Sequence, residues 1–562
     1  MRYFVFILIA LFNISYSSDF YTCYSLFEKE KFLQAKKCFN QIKNKDFRPY
    51  INYFVSQINL IYGEKPIKPK KENTAVDNYL LLKLSGDNFY RKNYKRAKQY
   101  LNKINYIALD KEDLPFYFYL KANLYNDLQL KKKLATKYIY NRYYGYKTFL
   151  EIYKKLSKSE IFTAVKTLIS HRMYIRALGI IPLLPKTDKT LYYSLYLNVK
   201  TGHFEEARNI LNEINKNSKW YAVSVYILGY YAGNWEERKD YFYKLLQTKN
   251  QKYINKLALV LTKKAFHYKK YDLFLEFINY LPVGEEKVWY TFLYKYFQKN
   301  KENAYKYLLR KRNLIKNKNK LNYWLYLSSG DKKYLKKISN SHHIDFYYII
   351  AKNKIQVNPR IIRKHERNLL IETLKKNGKL YRWAYREGVY LYKKYKKVDY
   401  LKSVIPEVVV RKLPRNERYI KPFGNLKPLI YAVMKQESYF YYKAVSFSNA
   451  VGLMQFVPKT AYWAARKRND KDFDIVDMFN PYISIDYGDW YLHYLLKKFH
   501  GNIFYTVAAY NGGSANVIRT LKRFKPRNIA EFVEVHPFDE TRNYVKKVYT
   551  NYIIYKQTAN EE

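Results

Sequence analysis

The sequence predicts an all-α protein in which a long superhelix of helical repeats is followed by a compact helical domain. Three observations carry this prediction. Only 17 Gly and 16 Pro occur among 562 residues, fewer turn residues than a strand-rich protein of this length usually needs. An apolar stripe with helical spacing recurs along the first half of the chain. Prolines that suit the first turn of a helix punctuate the last quarter.

The composition excludes general disorder but does not identify a partner. Hydrophobic residues make up 48% of the chain and aromatic residues 19%, which is enough apolar surface for a large core. Lys and Arg number 104 against 47 Asp and Glu, a formal net charge of +57. Such a charge attracts nucleic acid, anionic lipid or an anionic polymer such as a cell wall. Biased codon usage also enriches a chain in Lys, so the charge alone does not choose among these partners.

The amino-terminal residues have the pattern of a secretory signal peptide. Arg2 precedes an apolar run that reaches Phe12, and small and polar residues follow it. We therefore expect residues 1–17 to be a signal peptide and the mature protein to be soluble in the periplasm. The run is too short to span a bilayer comfortably, so no stable membrane insertion is expected. The residues before Cys23 lack the features of a lipoprotein signal, which disfavours lipid attachment there.

Two cysteines, Cys23 and Cys38, are present in the mature chain. Export places them in an oxidising compartment, and an even number of cysteines there favours a disulfide over two packed thiols. We expect a structural bridge between neighbouring helices, with no redox or metal-binding role.

Residues 18–410 are predicted to form the superhelix. An aromatic residue is followed at spacings of three, four and three by Ala or another apolar residue, and the last four copies start 30, 31 and 36 residues apart. A period of about 34 residues is that of tetratricopeptide-like helix pairs, which bury their apolar stripes against neighbouring pairs. The aromatic residues of the pattern are expected to be core residues. The copies are Phe32-Ala35-Phe39-Ile42, Tyr94-Ala97-Leu101-Ile104, Tyr174-Ala177-Ile181-Leu184, Phe204-Ala207-Leu211-Ile214, Trp235-Arg238-Phe242-Leu245 and Tyr271-Phe274-Ile278-Leu281.

A domain boundary is expected near residue 410, where prolines and a Val-rich run interrupt the helical periodicity. The segment 411–562 that follows contains three clear helix starts. Pro428 and Pro458 suit the first turn of two helices, and Asn480 with Pro481 forms an N-cap and first-turn pair for a third.

Glu437 is the candidate for acid–base chemistry. It lies at the expected carboxyl-terminal end of an apolar helix, where the helix dipole disfavours a carboxylate. Partial burial there would raise its pKa and let it hold a proton near neutral pH, as a general acid requires. Taken alone, such a residue is usually a solvated surface Glu.

Four short motifs change that interpretation. They are KQES ending at Ser438, VGLMQF at 451–456, AYNGG at 509–513 and ETRNYV at 540–545. In this order and spacing the sequence resembles the soluble lytic murein transglycosylases, whose catalytic domain is lysozyme-like and whose amino-terminal region is a long superhelix. The resemblance covers about residues 425–555 and, more loosely, the helical body. Gly512 stands where that family more often has Ala, a change expected to be harmless.

The resemblance implies roles for individual residues. Glu437 would be the single catalytic acid and base, and Ser438 would form hydrogen bonds near the substrate. Gln455 would bind the sugar, while Tyr510 and Asn511 would line the cleft. The sixth residue of this set, Glu540, would support the site from its far side.

The chemistry that the resemblance implies is cleavage between N-acetylmuramic acid and N-acetylglucosamine without water, which leaves a 1,6-anhydro end. Glycosidases that use water normally need a second carboxylate as nucleophile or base. No second acid has an evident role here, although Glu540 and Asp539 are candidates. Their simpler interpretation is structural support.

Other functions are kept as alternatives. A hydrolytic goose-type lysozyme would share the fold, and a scaffold with a degenerate catalytic domain would only bind glycan or protein. Nucleic-acid binding is disfavoured because the chain has no recognisable module for it. The nine His show no metal-binding spacing, and no phosphate-loop or dinucleotide motif occurs, so neither metal nor cofactor is expected.

Overall fold

The computed structural model describes residues 20–67, 74–298, 300–341, 343–352, 369–375, 380–397, 399–405, 426–446 and 448–559. Within these ranges the chain is helical and contains no strand, and its only β pairing is two isolated bridges from Val451 to Val445 and Phe456. The all-α prediction is therefore confirmed. None of the described helices combines the length and apolarity needed to cross a membrane. The predicted signal peptide and the expected boundary near residue 410 lie outside the described residues.

The chain divides into two compact units, and helices are numbered here in chain order. The first unit comprises the described residues up to Met173 and those of Arg363–Glu407 and Asn480–Tyr482. Its helices are α1 (20–28), α2 (Phe32–Gln41), α3 (Arg48–Ile61), α4 (Ala75–Tyr90), α5 (Tyr94–Leu101), α6 (Leu114–Leu124), α7 (Leu128–Lys137), α8 (Lys147–Ile152), α9 (Lys158–Ser170), α22 (Leu369–Lys375), α23 (Tyr381–Tyr395) and α24 (Asp399–Ser403). Short 3₁₀ turns at Lys45–Phe47, Tyr106–Ala108 and Tyr153–Lys155 and a π-turn at Arg142–Tyr146 link them.

The core of the first unit is aromatic. Phe20, Phe39 and Phe54 are fully buried and in ring contact. A disulfide joins Cys23 in α1 to Cys38 in α2, so it ties the first helix to the second.

The second unit comprises the described residues of Tyr174–Ile362, Val408–Phe479 and Ile483–Glu562. Its first group of helices is α10 (Tyr174–Ile180), α11 (Asp188–Thr201), α12 (Phe204–Glu213), α13 (Lys219–Tyr231), α14 (Trp235–Gln247), α15 (Gln251–His267), α16 (Tyr271–Asn279), α17 (Glu285–Phe297), α18 (Lys301–Arg310), α19 (Lys318–Ser329), α20 (Lys333–Ser339) and α21 (Phe346–Lys352). Its second group is α25 (Lys427–Ser438), α26 (Pro458–Arg468), α27 (Pro481–Lys498, in this unit from Ile483 onward), α28 (Ile503–Gly512), α29 (Ser514–Phe524), α30 (Ile529–Val535) and α31 (Asp539–Ala559). The 3₁₀ turns of this unit are Ile181–Leu183, Arg312–Leu314 and Ile475–Phe479.

The first group is a regular helical repeat. Helices α11, α13, α15, α17 and α19 begin at residues 188, 219, 251, 285 and 318, so successive starts lie 31 to 34 residues apart. Each packs against the helix that follows it, and α11, α13, α15 and α17 also pack against one another in turn. This is the arrangement that the sequence period predicts, and it continues to α19, beyond the last sequence copy, which ends at Leu281.

One expectation about the repeat holds only in part. The aromatic residues inside the copies, Phe39, Phe242 and Phe274, are buried, but the aromatic residue that opens each copy is exposed or half-buried, with Tyr94 51% and Phe204 37% exposed. In all six copies this aromatic is the first residue of a helix, at the rim of the helix pair. The apolar residues after it form the core, as Ala97, Leu101 and Ala207 show with at most 1% exposure.

The second group forms a compact helical domain around α31. Helix α31 packs against α25, α28 and α30, while α29 joins α28 to α30. The three predicted helix starts are confirmed. Pro428 lies in the first turn of α25, α26 begins at Pro458, and the Asn480 side chain accepts a hydrogen bond from the backbone N–H of Tyr482 at the start of α27.

Candidate active site

Glu437 is the second-last residue of α25. The helix ends because Tyr439 adopts a left-handed conformation with φ of 49°. The Glu437 side chain is half-buried, and the Tyr544 hydroxyl, which comes from α31, donates a hydrogen bond to its Oε1 at 2.7 Å. The contact between α25 and α31 therefore fixes the position of the carboxyl group.

Three influences set the protonation of Glu437. Burial is the largest and raises the pKa, because a charged carboxylate loses solvation there. The hydrogen bond from Tyr544 favours the charged form and lowers the pKa, whereas the negative charge of Glu540 raises it. The net result is a pKa of about 7. At neutral pH this group can donate a proton and can afterwards accept one.

Tyr510 forms a second aromatic wall beside Glu437. Its hydroxyl donates to the backbone carbonyl of Met454 at 2.8 Å, and its ring contacts those of Phe456 and Tyr491. Burial, followed by the nearby charge of Glu437, raises its pKa well above the ordinary value. Tyr510 therefore stays neutral and links the VGLMQF loop to α28.

The VGLMQF loop is a tight backbone loop. Val451 and Phe456 exchange backbone hydrogen bonds of 2.9 and 3.2 Å. Gln455 has a positive φ of 50°, and its amide nitrogen donates to the carbonyls of Ala444 and Gly452 at 2.9 and 2.7 Å. Because the amide nitrogen already donates to two backbone carbonyls, the side-chain carbonyl is the polar atom that Gln455 has left for a ligand.

Gly452 is required by the shape of this loop. Its φ is +81°, and a Cβ atom at this position would lie 2.0 Å from the carbonyl oxygen of Met478. Only a glycine allows that approach of two backbone segments.

Asn511 and Ser438 are also held by hydrogen bonds within the protein. The Thr541 hydroxyl, from α31, donates to Asn511 Oδ1 at 2.7 Å. A Cβ atom on Gly512 would lie 2.7 Å from the same hydroxyl oxygen, so the glycine makes room for this contact. Ser438 is buried, and its hydroxyl donates to the carbonyl of Met434 at 3.1 Å.

The two candidate second carboxylates differ in their surroundings. The Asp539 carboxylate forms one ion pair with Arg542 and another with Lys263, whose Nζ lies 3.3 Å away. Both pairs occupy this carboxylate. Glu540 is exposed in the first turn of α31, one turn before Tyr544, and its charge acts on Glu437.

Reasoning from the sequence missed Tyr544. It donates to the candidate catalytic carboxyl across 107 residues of chain, a contact that only the packing of α25 on α31 creates. A signal was present, since Tyr544 belongs to the ETRNYV motif, but no role was assigned to it. Tyr491 was also missed. Its ring contacts that of Tyr510, and it lies outside the four motifs.

A buried acid on α30 anchors this domain to the repeat helices of the same unit. Glu534 accepts hydrogen bonds from Trp289 Nε1 at 3.0 Å, from the Tyr347 hydroxyl and from Lys546 Nζ at 2.6 Å. Burial acts to raise its pKa, but the charges of Lys320 and Lys546 hold the pKa well below its usual range. Since Lys546 lies on α31, the anchor fixes the helix that carries Tyr544.

The described residues contain no group of three His, Cys, Asp or Glu side chains that could hold a metal ion. The groups that interact with Glu437 are the phenols of Tyr544 and Tyr510 and the carboxylate of Glu540. Such a set suits proton transfer and hydrogen bonding to a polyhydroxylated ligand.

Comparison with protein families finds a match over residues 416–533 to the transglycosylase SLT domain. Three similar proteins are a membrane-bound lytic murein transglycosylase C of Actinobacillus pleuropneumoniae, a putative soluble lytic murein transglycosylase of Haemophilus influenzae and the soluble lytic murein transglycosylase of Escherichia coli. The first is 33% identical over an alignment of 172 positions, which covers 26% of this chain and 47% of that protein. The second is 35% identical over 137 residues, with 24% of this chain and 23% of that protein covered. The third is 35% identical over 119 residues, with 21% of this chain and 18% of that protein covered. The matches thus span about half or less of these relatives.

Two solved structures resemble the chain over almost its whole length. A complex of the 70-kDa soluble lytic transglycosylase with bulgecin A superposes with a TM-score of 0.62 at 17% identity and covers 98% of this chain and 97% of that one. The crystal structure of the 70 kDa soluble lytic transglycosylase of Escherichia coli superposes with a TM-score of 0.61 at 16% identity, with 97% of both chains covered. At this identity the likeness establishes the fold, a helical superhelix with a lysozyme-like domain.

Proposed function

Because this chain belongs to the lytic murein transglycosylase family, we propose that it cleaves peptidoglycan between N-acetylmuramic acid and N-acetylglucosamine without water and leaves 1,6-anhydro ends. The observation that carries the proposal is the state of Glu437. It is a half-buried carboxyl with a pKa of about 7, held by the Tyr544 hydroxyl.

The reaction needs one group that is first an acid and then a base. Protonated Glu437 gives its proton to the glycosidic oxygen as the bond from that oxygen to C1 of the muramic acid breaks. The resulting carboxylate then takes the proton from the 6-hydroxyl of the same sugar, whose oxygen closes on C1. Glu437 ends protonated, as it began, and no water is consumed. The attacking hydroxyl belongs to the bound sugar, which gives it a proximity advantage over solvent.

The other site residues bind and orient the sugar in this proposal. The side-chain carbonyl of Gln455 accepts from a sugar hydroxyl or amide, and Tyr510 and Asn511 line the cleft. Ser438 donates or accepts near the scissile bond once its hydroxyl turns from Met434. Glu540 supports the site by keeping the pKa of Glu437 high.

The balance of carboxylates favours this chemistry over hydrolysis. A hydrolytic enzyme uses a second carboxylate as nucleophile or as the base that activates water. Asp539 is occupied by Arg542 and Lys263, and Glu540 is exposed. The hydrolytic lysozyme and the inert scaffold remain the two alternatives that the experiment below separates.

We also propose that the protein works in the periplasm after removal of residues 1–17. The amino-terminal pattern supports export, and the bond between Cys23 and Cys38 suits an oxidising compartment. Peptidoglycan strands are the proposed partner, and the basic surface would favour association with the anionic wall. The site requires no cofactor for the steps described.

Mass spectrometry of glycan fragments released from purified sacculi tests the proposal. Lytic cleavage gives fragments lighter by one water than the reducing-end products of a lysozyme. We expect anhydro ends from the wild type and none from Glu437→Gln, which keeps the fold and the hydrogen bond from Tyr544. Reducing ends from the wild type would support the lysozyme alternative, and an inactive wild type that still binds sacculi would support the scaffold.

A further inference from the structure

His267 is the last residue of α15 and contacts three helices of the lysozyme-like domain, all within the second unit. Its Nδ1 lies 2.9 Å from the carbonyl oxygen of Val535, the last residue of α30. Its backbone carbonyl accepts a hydrogen bond from Arg523 of α29 at 2.9 Å, and its Nε2 lies 2.9 Å from Nη1 of Arg542 on α31. One residue of the repeats, outside the four sequence motifs, therefore joins all three helices.

The neighbours of His267 determine where its proton lies. A carbonyl oxygen only accepts, so Nδ1 carries the hydrogen, and a guanidinium only donates, so Nε2 is the acceptor. Burial, followed by the charge of Arg542, lowers the pKa of His267 well below its usual range. The smaller effects of the Val535 carbonyl and Glu534, which raise the pKa, and of His536, which lowers it, do not reverse that direction. The ring is therefore neutral near pH 7 and accepts from Arg542.

Arg542 is buried and has a partner on every side that the structure describes. Its Nη2 donates to the hydroxyl of Tyr290 on α17 at 3.1 Å, and its Nη1 also donates to the carbonyl of His536. Asp539, one turn earlier on α31, forms an ion pair with the same guanidinium. Two of its partners, His267 and Tyr290, thus come from the repeat helices. A lost partner is not easily replaced by water at a buried position, so each contact constrains the arginine.

Arg542 lies between the two residues of α31 that contact the candidate active site. Thr541, the residue before it, donates to Asn511, and Tyr544, two residues after it, donates to Glu437. Residues 541–544 span about one turn of helix, so their side chains point in different directions from the same short segment. The arginine is bound to the repeats while its neighbours are bound to the site. A displacement of this turn would therefore change both site contacts together.

We propose that His267, acting through Arg542, is a positioning residue for the candidate active site and is supplied by the repeat helices. The proposal rests on the proposed function, because it takes Glu437 to be the acid. While His267 and Tyr290 hold the guanidinium, the first turns of α31 stay where the Tyr544 hydroxyl reaches the Glu437 carboxyl. Loss of the His267 acceptor leaves a buried, charged N–H group unpaired, and the turn shifts as the arginine finds another partner.

The test measures kcat/KM for the release of anhydro ends against pH, with full-length variants and soluble peptidoglycan strands. His267→Leu removes the acceptor for Arg542 and should weaken the hydrogen bond from Tyr544 to Glu437. The alkaline limb should then move up by about half a pH unit, and kcat should fall about tenfold. Tyr290→Phe keeps the ring and removes one acceptor, so it should move the limb the same way by less. His267→Gln, which keeps an acceptor beside Arg542, should restore most of the wild-type profile.

Two comparisons separate positioning from a loss of stability. Tyr296→Phe removes a buried hydrogen bond from the repeats to Glu531 of α30, and as the matched control it should destabilise the protein without moving the limb. If His267 acts through Tyr544, the double variant His267→Leu/Tyr544→Phe should have the same alkaline limb as Tyr544→Phe alone.

An alkaline limb that stays in place in Tyr290→Phe, or in folded His267→Leu, overturns the proposal. A further shift in the double variant overturns it as well, because His267 would then act on Glu437 by another route. An equal shift in the Tyr296→Phe control would show a general effect of destabilisation and has the same consequence. Failure of the proposed function looks different, because the wild type would then release no anhydro ends at any pH.

Discussion

At the scale of single residues, the protonation of Glu437 reflects opposing contributions from groups on two helices. Burial in the α25–α31 contact and the charge of Glu540 raise its pKa, while the Tyr544 hydroxyl lowers it. The balance near 7 leaves the group partly protonated at neutral pH. Both neighbours lie on one face of α31, a turn apart, so the same helix carries one group that raises the pKa of Glu437 and one that lowers it.

Replacement of these neighbours should shift the pH profile in opposite directions. Glu437 must start protonated, so kcat/KM falls as the pH rises through its pKa. Tyr544→Phe removes a hydrogen bond to the charged form, and the alkaline limb should move up by about one pH unit. Glu540→Gln removes a negative charge, and the limb should move down. The measurement is kcat/KM against pH for both variants and the wild type, and shifts of the same sign would contradict the assignment of Glu437 as the acid.

The sequence allowed part of this site to be predicted. A Glu at the end of an apolar helix indicated a raised pKa through the helix dipole and partial burial, and burial is the largest cause in the structure. The partner Tyr544 could not be found from local spacing, because its contact depends on packing between distant helices. Gln455 was expected to bind the sugar, but the sequence did not indicate that its amide nitrogen donates to the carbonyls of Ala444 and Gly452.

At the scale of elements, the VGLMQF loop shows why glycine is present at one position of a motif. Gly452 permits a tight backbone approach, and the neighbour is the carbonyl of Met478. The loop then presents Met454 to Tyr510 and closes on itself through Val451 and Phe456.

Two Gly→Ala substitutions separate the cost of a positive φ from the cost of a steric clash. Gly452→Ala must adopt a positive φ and also clash with a main-chain oxygen, whereas Gly202→Ala, at the end of α11 with φ of +88°, has no atom within 4 Å of its Cβ. Gly202→Ala should lower the free energy of unfolding by about 1 kcal/mol. Gly452→Ala should lower it by at least about 2 kcal/mol more and reduce kcat/KM. Chemical denaturation measures both, and equal losses would show that the close approach to Met478 is not rigid.

The repeat helices could be predicted from period and spacing, but not the place of every residue in them. The pattern of three, four and three identifies positions on one helix face, and Ala97 and Leu101 are buried as that face requires. It does not indicate where a helix begins. Tyr94 opens α5, so its side chain lies at the rim although its spacing matches the core positions.

At the scale of the second unit, buried polar contacts join the repeat helices to the helix that carries Tyr544. Glu534 on α30 is held by Trp289 and Tyr347 from the repeats and by Lys546 from α31. Glu531 on the same helix accepts from the Tyr296 hydroxyl at 2.9 Å. A buried acid of this kind stays charged only while its partners remain, so the repeats contribute to the stability of the domain.

Removal of one partner hydroxyl tests this anchor. Tyr347→Phe deletes a hydrogen bond to a buried charged group and should lower the free energy of unfolding by about 2 kcal/mol. Tyr305→Phe deletes a hydrogen bond to the neutral Tyr334 hydroxyl in the same repeat region and should lower it by about 1 kcal/mol or less. Denaturant unfolding of the full-length variants gives both values. If Tyr347→Phe were no more destabilising than the control, Glu534 would not depend on the repeats.

The central claim is that a single carboxyl, Glu437, cleaves the glycan with the substrate's own hydroxyl as nucleophile. Digestion of sacculi in water enriched in heavy oxygen tests it most directly, because hydrolysis places a solvent oxygen on the newly formed end. The account predicts anhydro ends that carry no heavy oxygen, at a rate abolished by Glu437→Gln. Heavy oxygen incorporated at the new ends during cleavage, or cleavage that persists in Glu437→Gln, would contradict it.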